Sequence, residues 1–277
     1  MNDVDNELKN VLPEYVKNQI IPIELISFIN VYIPEKLTNE TIRTALEDYF
    51  IYDIKKEVEA NYGKIKNWDV SNVTDMAGLF YDVCATDFNE DISKWNVSNV
   101  KKMRKMFHCA KSFNQPLNNW NVSNVTDMRE MFSYAKNFNQ PLNNWNVSNV
   151  TNMRKMFHCA KSFNQPLNNW NVSNVKTMSG MFWGAESFNQ SLNNWNVSSV
   201  ICMGCMFEAS TSFNQPLNNW DVSNVTEMSG MFGDADSFNQ PLNNWDVSNV
   251  TNVEGMFLSA LSFNRQENAP WYYKLIL

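Results

Sequence analysis

Cys202-Met-Gly-Cys205 places two thiols at the spacing of a metal-binding or redox pair, and the two histidines, His108 and His158, each precede a cysteine, Cys109 and Cys159. Thiolate sulfur and imidazole nitrogen are preferred zinc ligands, and they are also the parts of a Cys–His nucleophile. A structural zinc site needs a second Cys pair or a pair with nearby histidines, and here the histidines belong to distant copies of a repeat. Neighbours on a helix point about 100° apart, and no third group that would orient the imidazole recurs with it. The stretch FHCAKSFNQPLNN is identical around both histidines, so duplication explains the pairing. No P-loop, G-x-S-x-G or H-E-x-x-H motif is present, and an open face that repeats one residue many times is a poor site for a few unlike groups to converge. The expectation is a protein with no catalytic residue, no cofactor and no resident metal.

Two further sets of residues are suited to recognition. Lys101, Lys102, Arg104 and Lys105 form the one basic run, which reads either as a solvated helix face or as a docking patch for an acidic partner. Asn119, Asn121, Asn144, Asn146, Asn169, Asn171, Asn194 and Asn196 alternate with apolar positions and are expected to face outward, as a repeated polar surface. Several asparagines, among them Asn96, Asn121, Asn146 and Asn171, begin Asn-x-Ser sequences. The N-terminus has acids and amides where a signal peptide needs a basic start and an apolar run, so these read as capping chemistry, not glycan sites.

The elements that hold these residues come from a repeat. Trp95, Trp120, Trp145, Trp170, Trp195, Trp220 and Trp245 are 25 residues apart, and Trp68 begins an earlier copy that is two residues longer. A fixed period in this range means a solenoid whose units bury their apolar faces against one another. Leu117, Trp120 and Val122 fit the L-x-x-L-x-L spacing of a short strand, whereas Val125, Met128, Met131, Phe132 and Ala135 fall three or four apart, as on a helix. Ser123 and Asn124 would cap that helix, and Pro141 would mark the return. Stacked copies put Trp on Trp, Met on Met and Phe on Phe in continuous columns, with Asn139 turned inward to bond backbone of its own and the neighbouring coil. At about 4.8 Å per coil, Cys109 and Cys159 would lie about 10 Å apart, beyond disulfide reach, so reduced thiols are expected.

Residues 1–37 read as a helical segment, 38–66 as a helical cap, 67–264 as eight coils and 265–277 as a C-terminal cap. Thr38 or Asn39 is placed to cap the helix that follows, and a further helix is expected from about Ile51 to Asn61, ending at Gly63. Within the first segment, residues 21–34 (IPIELISFINVYIP) resemble the opening of an F-box, which would make the chain a ubiquitin-ligase adaptor. An amphipathic helix with proline at its first turn is the plainer reading. The net charge of −7 disfavours nucleic acid as the main partner, and the longest apolar-leaning stretch, 20–33, is too short and too interrupted to span a bilayer.

The string F-N-Q-P-L-N-N-W-[ND]-V-S-N-V-T-x-M-x-x-M-F-x-x-A, over about residues 64–264, closely resembles the 25-residue repeat of BspA-like, mycoplasma-lipoprotein-type surface proteins, which have relatives in large DNA viruses. That resemblance implies a leucine-rich-repeat-like α/β solenoid, a short parallel strand plus a short helix per coil, used for interaction or adhesion and without enzymatic activity. This sequence shows no export signal, lipobox cysteine or wall anchor, so an intracellular or virion-associated setting is expected in place of surface display. The functional expectation is a non-enzymatic scaffold for a protein or polysaccharide partner, with self-association compatible. The alternatives are a structural virion or surface-layer component and an F-box-type adaptor.

Overall fold

Each 25-residue unit closes one turn of a continuous stack of coils, and the apolar residues at its fixed positions all point into it. A computed structural model describes residues 36–275. The reading of residues 21–34 as an F-box, and most of the 1–37 segment, therefore lie outside the described residues. Eight coils follow one another, marked by a chain of single parallel bridges from Asp75 through Lys102, Asp127, Asn152, Thr177, Cys202 and Glu227 to Asn252. Coils are numbered from the tryptophan that opens each, coil 1 at Trp68 to coil 8 at Trp245. Trp, Val, Met, Phe and Leu at the repeated positions are buried throughout. At roughly 1.5–3 kcal/mol for each large apolar side chain, these columns carry the stability.

The columns are in register to within a few degrees. Trp145, Trp170 and Trp195 stack with centroids 6.4 Å apart and planes 2° apart. Phe132 meets Phe157 at 5.6 Å and 6°. Near-parallel rings at constant spacing mean that these coils stack with little tilt between them.

The secondary structure inside a coil departs from the expected strand plus helix. Where a strand was expected, the chain makes tight turns, with Trp120 N–H donating to Leu117 O at 3.0 Å and Val125 N–H to Val122 O at 2.9 Å. The three-residue apolar spacing there is a turn period. Where a helix was expected, Glu130 and Tyr134 have positive φ, 57° and 59°, which a right-handed helix does not allow. Their N–H groups leave the coil instead. Met103, Lys105, Phe107 and Cys109 donate to Asp127, Arg129, Met131 and Ser133 of the next coil at 2.8–3.0 Å, while Met106, His108 and Ala110 close turns back to Met103, Lys105 and Phe107. This strip, a ladder of turns joined by parallel inter-coil bonds, replaces the predicted helix.

Both ends are covered. Helix α1, Thr41–Phe50, buries Ile42, Ala45, Leu46 and Tyr49 over coil 1. Thr38 Oγ1 accepts from Thr41 N–H at its start, but Asn39 does not cap the helix. Its Oδ1 accepts from the N–H groups of Thr74 and Asp75, and Arg43 donates to Ala77 O at 2.9 Å, so the open edge of coil 1 is partnered by side chains. Helix α2, Lys55–Tyr62, begins four residues later than expected and ends at Gly63, φ 72°. At the far end come α3, Arg265–Asn268, and α4, Tyr272–Leu275. Trp271 continues the tryptophan column, stacking on Trp245 at 6.3 Å and donating its indole N–H to Leu242 O at 2.9 Å. Among the described residues no helix is long and apolar enough to cross a membrane.

Candidate functional site

The thiols and imidazoles occupy the turn ladder. Cys202 is the bridge residue of coil 6, and Cys205 holds a left-handed turn, φ 57°, corresponding in the repeat to Asp127 and Glu130. Burial, the hydrogen bond that its S–H donates to Glu208 and the negative charges of Glu208 and Glu227 push the Cys205 thiol up to about 12, so it stays protonated at neutral pH. Burial also raises the thiols of Cys109 and Cys159. All five cysteines are free. Among the described residues no three His, Cys, Asp or Glu side chains gather as a metal cluster.

The histidines are packing residues in a column of rings. His108 lies edge-on to Tyr81 at 4.5 Å and to Tyr134 at 5.8 Å, and His158 meets Tyr134 at 4.7 Å and Trp183 at 4.8 Å. Cys109 and Cys159 take positive φ, 60° and 54°, which turns each thiol out of line with the imidazole before it. His158 Nδ1 lies 3.3 Å from Ser133 Oγ, with both residues buried. Burial, followed by the charge of Lys155, pulls the His158 pKa down to about 4, and the ring is neutral. His108 is lowered too, chiefly by burial, against the attraction of Glu130 3.7 Å away.

A shallow cleft of about 290 Å³ lies between α1 and coil 1. Its polar groups satisfy one another: Tyr49 donates to Glu90 at 2.9 Å and Lys55 reaches the same carboxylate at 3.4 Å.

The asparagines lie on a different side of the coil, and most have work inside it. Asn121 Oδ1 accepts from Ser123 N–H and Oγ–H, and Asn146, Asn171 and Asn196 accept from the N–H groups of Ser148, Ser173 and Ser198 in the same way. Asp221 and Asp246 replace asparagine at this position in coils 7 and 8 and accept the same backbone bond, since only a carbonyl or carboxylate oxygen is required. Asn124 Nδ2 donates to Ser98 O of the preceding coil at 2.7 Å, and Trp145 Nε1 donates to Leu117 O at 2.8 Å. Asn139 Oδ1 accepts from Asn164 N–H at 2.9 Å and Gln165 Nε2 at 3.0 Å, repeating what Asn114 does for Asn139. The expected inter-coil role of the Asn139 column is therefore observed. Of the outward candidates, Asn169 accepts from Asn168, Asn144 N–H donates to Asn118, and Asn119 and Asn194 are exposed.

The ladder side carries the variation. Its variable positions hold Arg104, Lys105, His108 and Cys109 in coil 2, Arg129, Glu130, the buried Ser133 and Tyr134 in coil 3, and Ser179, Gly180, Trp183 and Gly184 in coil 5. Contacts between coils join these positions into one surface. Lys105 reaches Glu130 at 3.6 Å, Lys102 reaches Asp75 at 3.5 Å, and Lys155 Nζ lies 5.2 Å from the Trp183 ring. The basic run is thus part of this surface, with Lys101 and Arg104 exposed.

Charge along the ladder side is polarised, a feature that the basic run read alone does not reveal. The strips 101–112, 126–137 and 151–162 of coils 2–4 hold ten Lys and Arg against two carboxylates. The matching strips 201–212, 226–237 and 251–262 of coils 6–8 hold five carboxylates and no Lys or Arg. In coil 5 between them, Lys176 and Glu186 cancel. The signal is legible once the repeats are aligned and each column is read for charge.

A family profile described as "Mycoplasma protein of unknown function, DUF285" matches residues 46–170, 117–209 and 160–271. A comparison with curated proteins finds no match. Among solved structures, the chain is similar to one described as "Crystal structure of TLR13-ssRNA13 complex", at 11% identity and a TM-score of 0.26, over 76% of this chain. The chain spans 40% of that chain's length.

Proposed function

This chain belongs to the family described as Mycoplasma protein of unknown function, DUF285, and on that premise we propose that it is a non-enzymatic protein-interaction scaffold whose recognition surface is the ladder side. The observation that carries this reading is where the repeat tolerates change. Most residues of the amide side recur from coil to coil because they close a turn or bond a neighbouring coil, Asn119 and Asn194 being exposed exceptions. The exterior of the ladder side changes in size and charge while its backbone pattern is kept. Positions freed from architectural bonds are the ones available to discriminate a partner. Lys101, Lys102, Arg104 and Lys105 belong to that surface. Asn119, Asn144, Asn169 and Asn194, with the amide nitrogens of Asn121, Asn146, Asn171 and Asn196, are the competing surface and would suit a polysaccharide better than a charged protein.

A photo-crosslinking residue placed at Arg154 or at Asn146 tests the assignment. Covalent capture of protein partners from position 154 and none from 146 is expected. Capture from 146 alone, or binding of a glycan panel with no protein captured, would overturn it.

A further inference from the structure

We propose that the ladder side is a self-docking surface: two copies of the chain associate face to face and antiparallel, so that the basic coils of each lie over the acidic coils of the other. This rests on the assignment of recognition to the ladder side made above, and it names the partner.

Three observations point to a second copy. The first is the arrangement of charge. Coils 2 and 4 are basic, coils 3 and 5 carry equal numbers of both signs and coils 6–8 are acidic, so the sign reverses across the middle of one continuous face. A two-fold axis through coil 5, lying in the interface, sets coil 4 over coil 6, coil 3 over coil 7 and coil 2 over coil 8. Arg104 and Glu254 occupy the same position in coils 2 and 8 and come opposite each other. Neither is in an ion pair among the described residues, and the same holds for Arg154, Glu208 and Asp234. Parallel docking would set like charges over like and is repelled. An acidic partner of another kind would be attracted by coils 2 and 4 and repelled by coils 6–8.

The second observation is shape. The phenylalanine column from Phe107 to Phe257 keeps its ring planes 3–9° apart from one coil to the next, so coils 2–8 stack with little tilt and a second face built the same way can lie along it. The third is the centre of the face. Trp183 in coil 5 is half-buried and held by His158 at 4.8 Å and Lys155 at 5.2 Å, with Gly180 and Gly184 beside it and Ile201 of the next coil 50% exposed. A fixed aromatic among small residues, ringed by charge, is the arrangement found at the energetic centre of protein interfaces. The axis places it against its own copy. An isologous contact of this kind closes at two subunits.

Sedimentation of the full chain decides this. At 50 mM salt a concentration-dependent dimer is expected, weakening at least tenfold at 500 mM as the charge pairs are screened. The triple variant Arg104→Glu, Arg154→Glu, Lys155→Glu is expected to be a monomer, and so is Glu208→Lys, Glu227→Lys, Glu254→Lys. Mixed in equal amounts, the two should form a heterodimer, which also shows that both are folded. A wild type that stays monomeric at low salt overturns the dimer, as does failure of the mixed variants, with native circular dichroism, to pair. Neither result removes the scaffold reading, because capture of a different protein from position 154 would still support it.

Discussion

The two sides of each coil use polar groups in opposite ways. On the amide side, side chains do the bonding: Asn121 closes a turn, Asn124 reaches back one coil, Asn139 reaches forward one, and the tryptophan indole bonds the preceding coil. On the ladder side the backbone does most of the bonding, through four N–H groups in each of coils 2–7 that donate to the next coil, and side chains such as Arg104, Arg154 and Glu254 are left exposed. A residue whose side chain is part of the scaffold cannot be changed without losing a bond. A residue whose backbone is the scaffold can be changed freely at its tip. This accounts for identical asparagines in coil after coil beside a position that reads Tyr81, His108, Ser133, His158, Trp183, Glu208, Gly233 and Leu258.

The largest expected effect is on the amide side. Asn139→Leu removes the oxygen that accepts from both Asn164 N–H and Gln165 Nε2, and leaves those donors facing an apolar group. The loss should be about 1–3 kcal/mol, seen in urea unfolding as a lower midpoint. A loss below about 0.5 kcal/mol would mean that water replaces the bonds and that the amide column is ornament, which would erase the contrast between the sides.

Next is pH, which should act on the ladder side. His158 is held neutral by burial with its pKa near 4, facing Ser133, Tyr134, Trp183, Lys155, His108 and Glu130. Unfolding returns it to the ordinary value of 6.5, so between those values the unfolded chain binds more protons than the folded one. The contribution is complete above pH 6.5 and is lost as pH falls towards 4. A tenfold difference in proton affinity is worth ~1.4 kcal/mol, and because the ring lies close to solvent the whole contribution is discounted to about 1–2 kcal/mol. Urea midpoints at about pH 7 and about pH 4.5, which bracket the unfolded value, should differ less in His158→Gln than in the wild type. Equal differences would show that the imidazole is not the group responsible.

These contrasts explain what could be read from the sequence. The period, the buried columns and the inter-coil asparagines were legible, because each follows from one residue type recurring at one position. The path of the backbone was not. Val125, Met128, Met131, Phe132 and Ala135 have helical spacing, yet left-handed residues at 130 and 134 reset the chain every four residues and preserve that spacing without a helix. The clue is in Gly78, Gly180, Gly230 and Gly255, which recur at the position held elsewhere by Lys105, Glu130, Lys155 and Cys205. Glycine recurring where charged residues also stand indicates a positive φ more than a helix surface. Asn39 departs from its expected role for a different reason. It stands at a helix start, but the partners it serves, Thr74 and Asp75, are 35 and 36 residues away, and no local pattern reveals them.

The glycines allow the backbone of the ladder side to be tested apart from its side chains. A methyl group at Gly184, φ 66°, would stand 3.0 Å from Cys159 Sγ, whereas at Gly255, φ 62°, it would meet only Leu258 Cβ at 3.9 Å. Gly255→Ala should cost about 1 kcal/mol, the left-handed conformation alone, and Gly184→Ala should cost more because the thiol must also move. Equal melting temperatures for the two variants would show that contact with the neighbouring coil adds nothing.

The smallest expected effect is the most informative for function. Arg154 is exposed, forms no ion pair among the described residues, and contributes to the scaffold only through its backbone, whose N–H donates to Asn152 Oδ1 and whose O accepts from Glu130. Both bonds survive in Arg154→Ala, so stability should stay within about 0.5 kcal/mol of wild type. Self-association should weaken over the same range of salt that screens it in the wild type, because the side chain removed is one that the solenoid does not need. A variant that melts early while pairing normally would reverse the assignment: the ladder side chains would then be holding the coils together, and recognition would have to be sought among the asparagines.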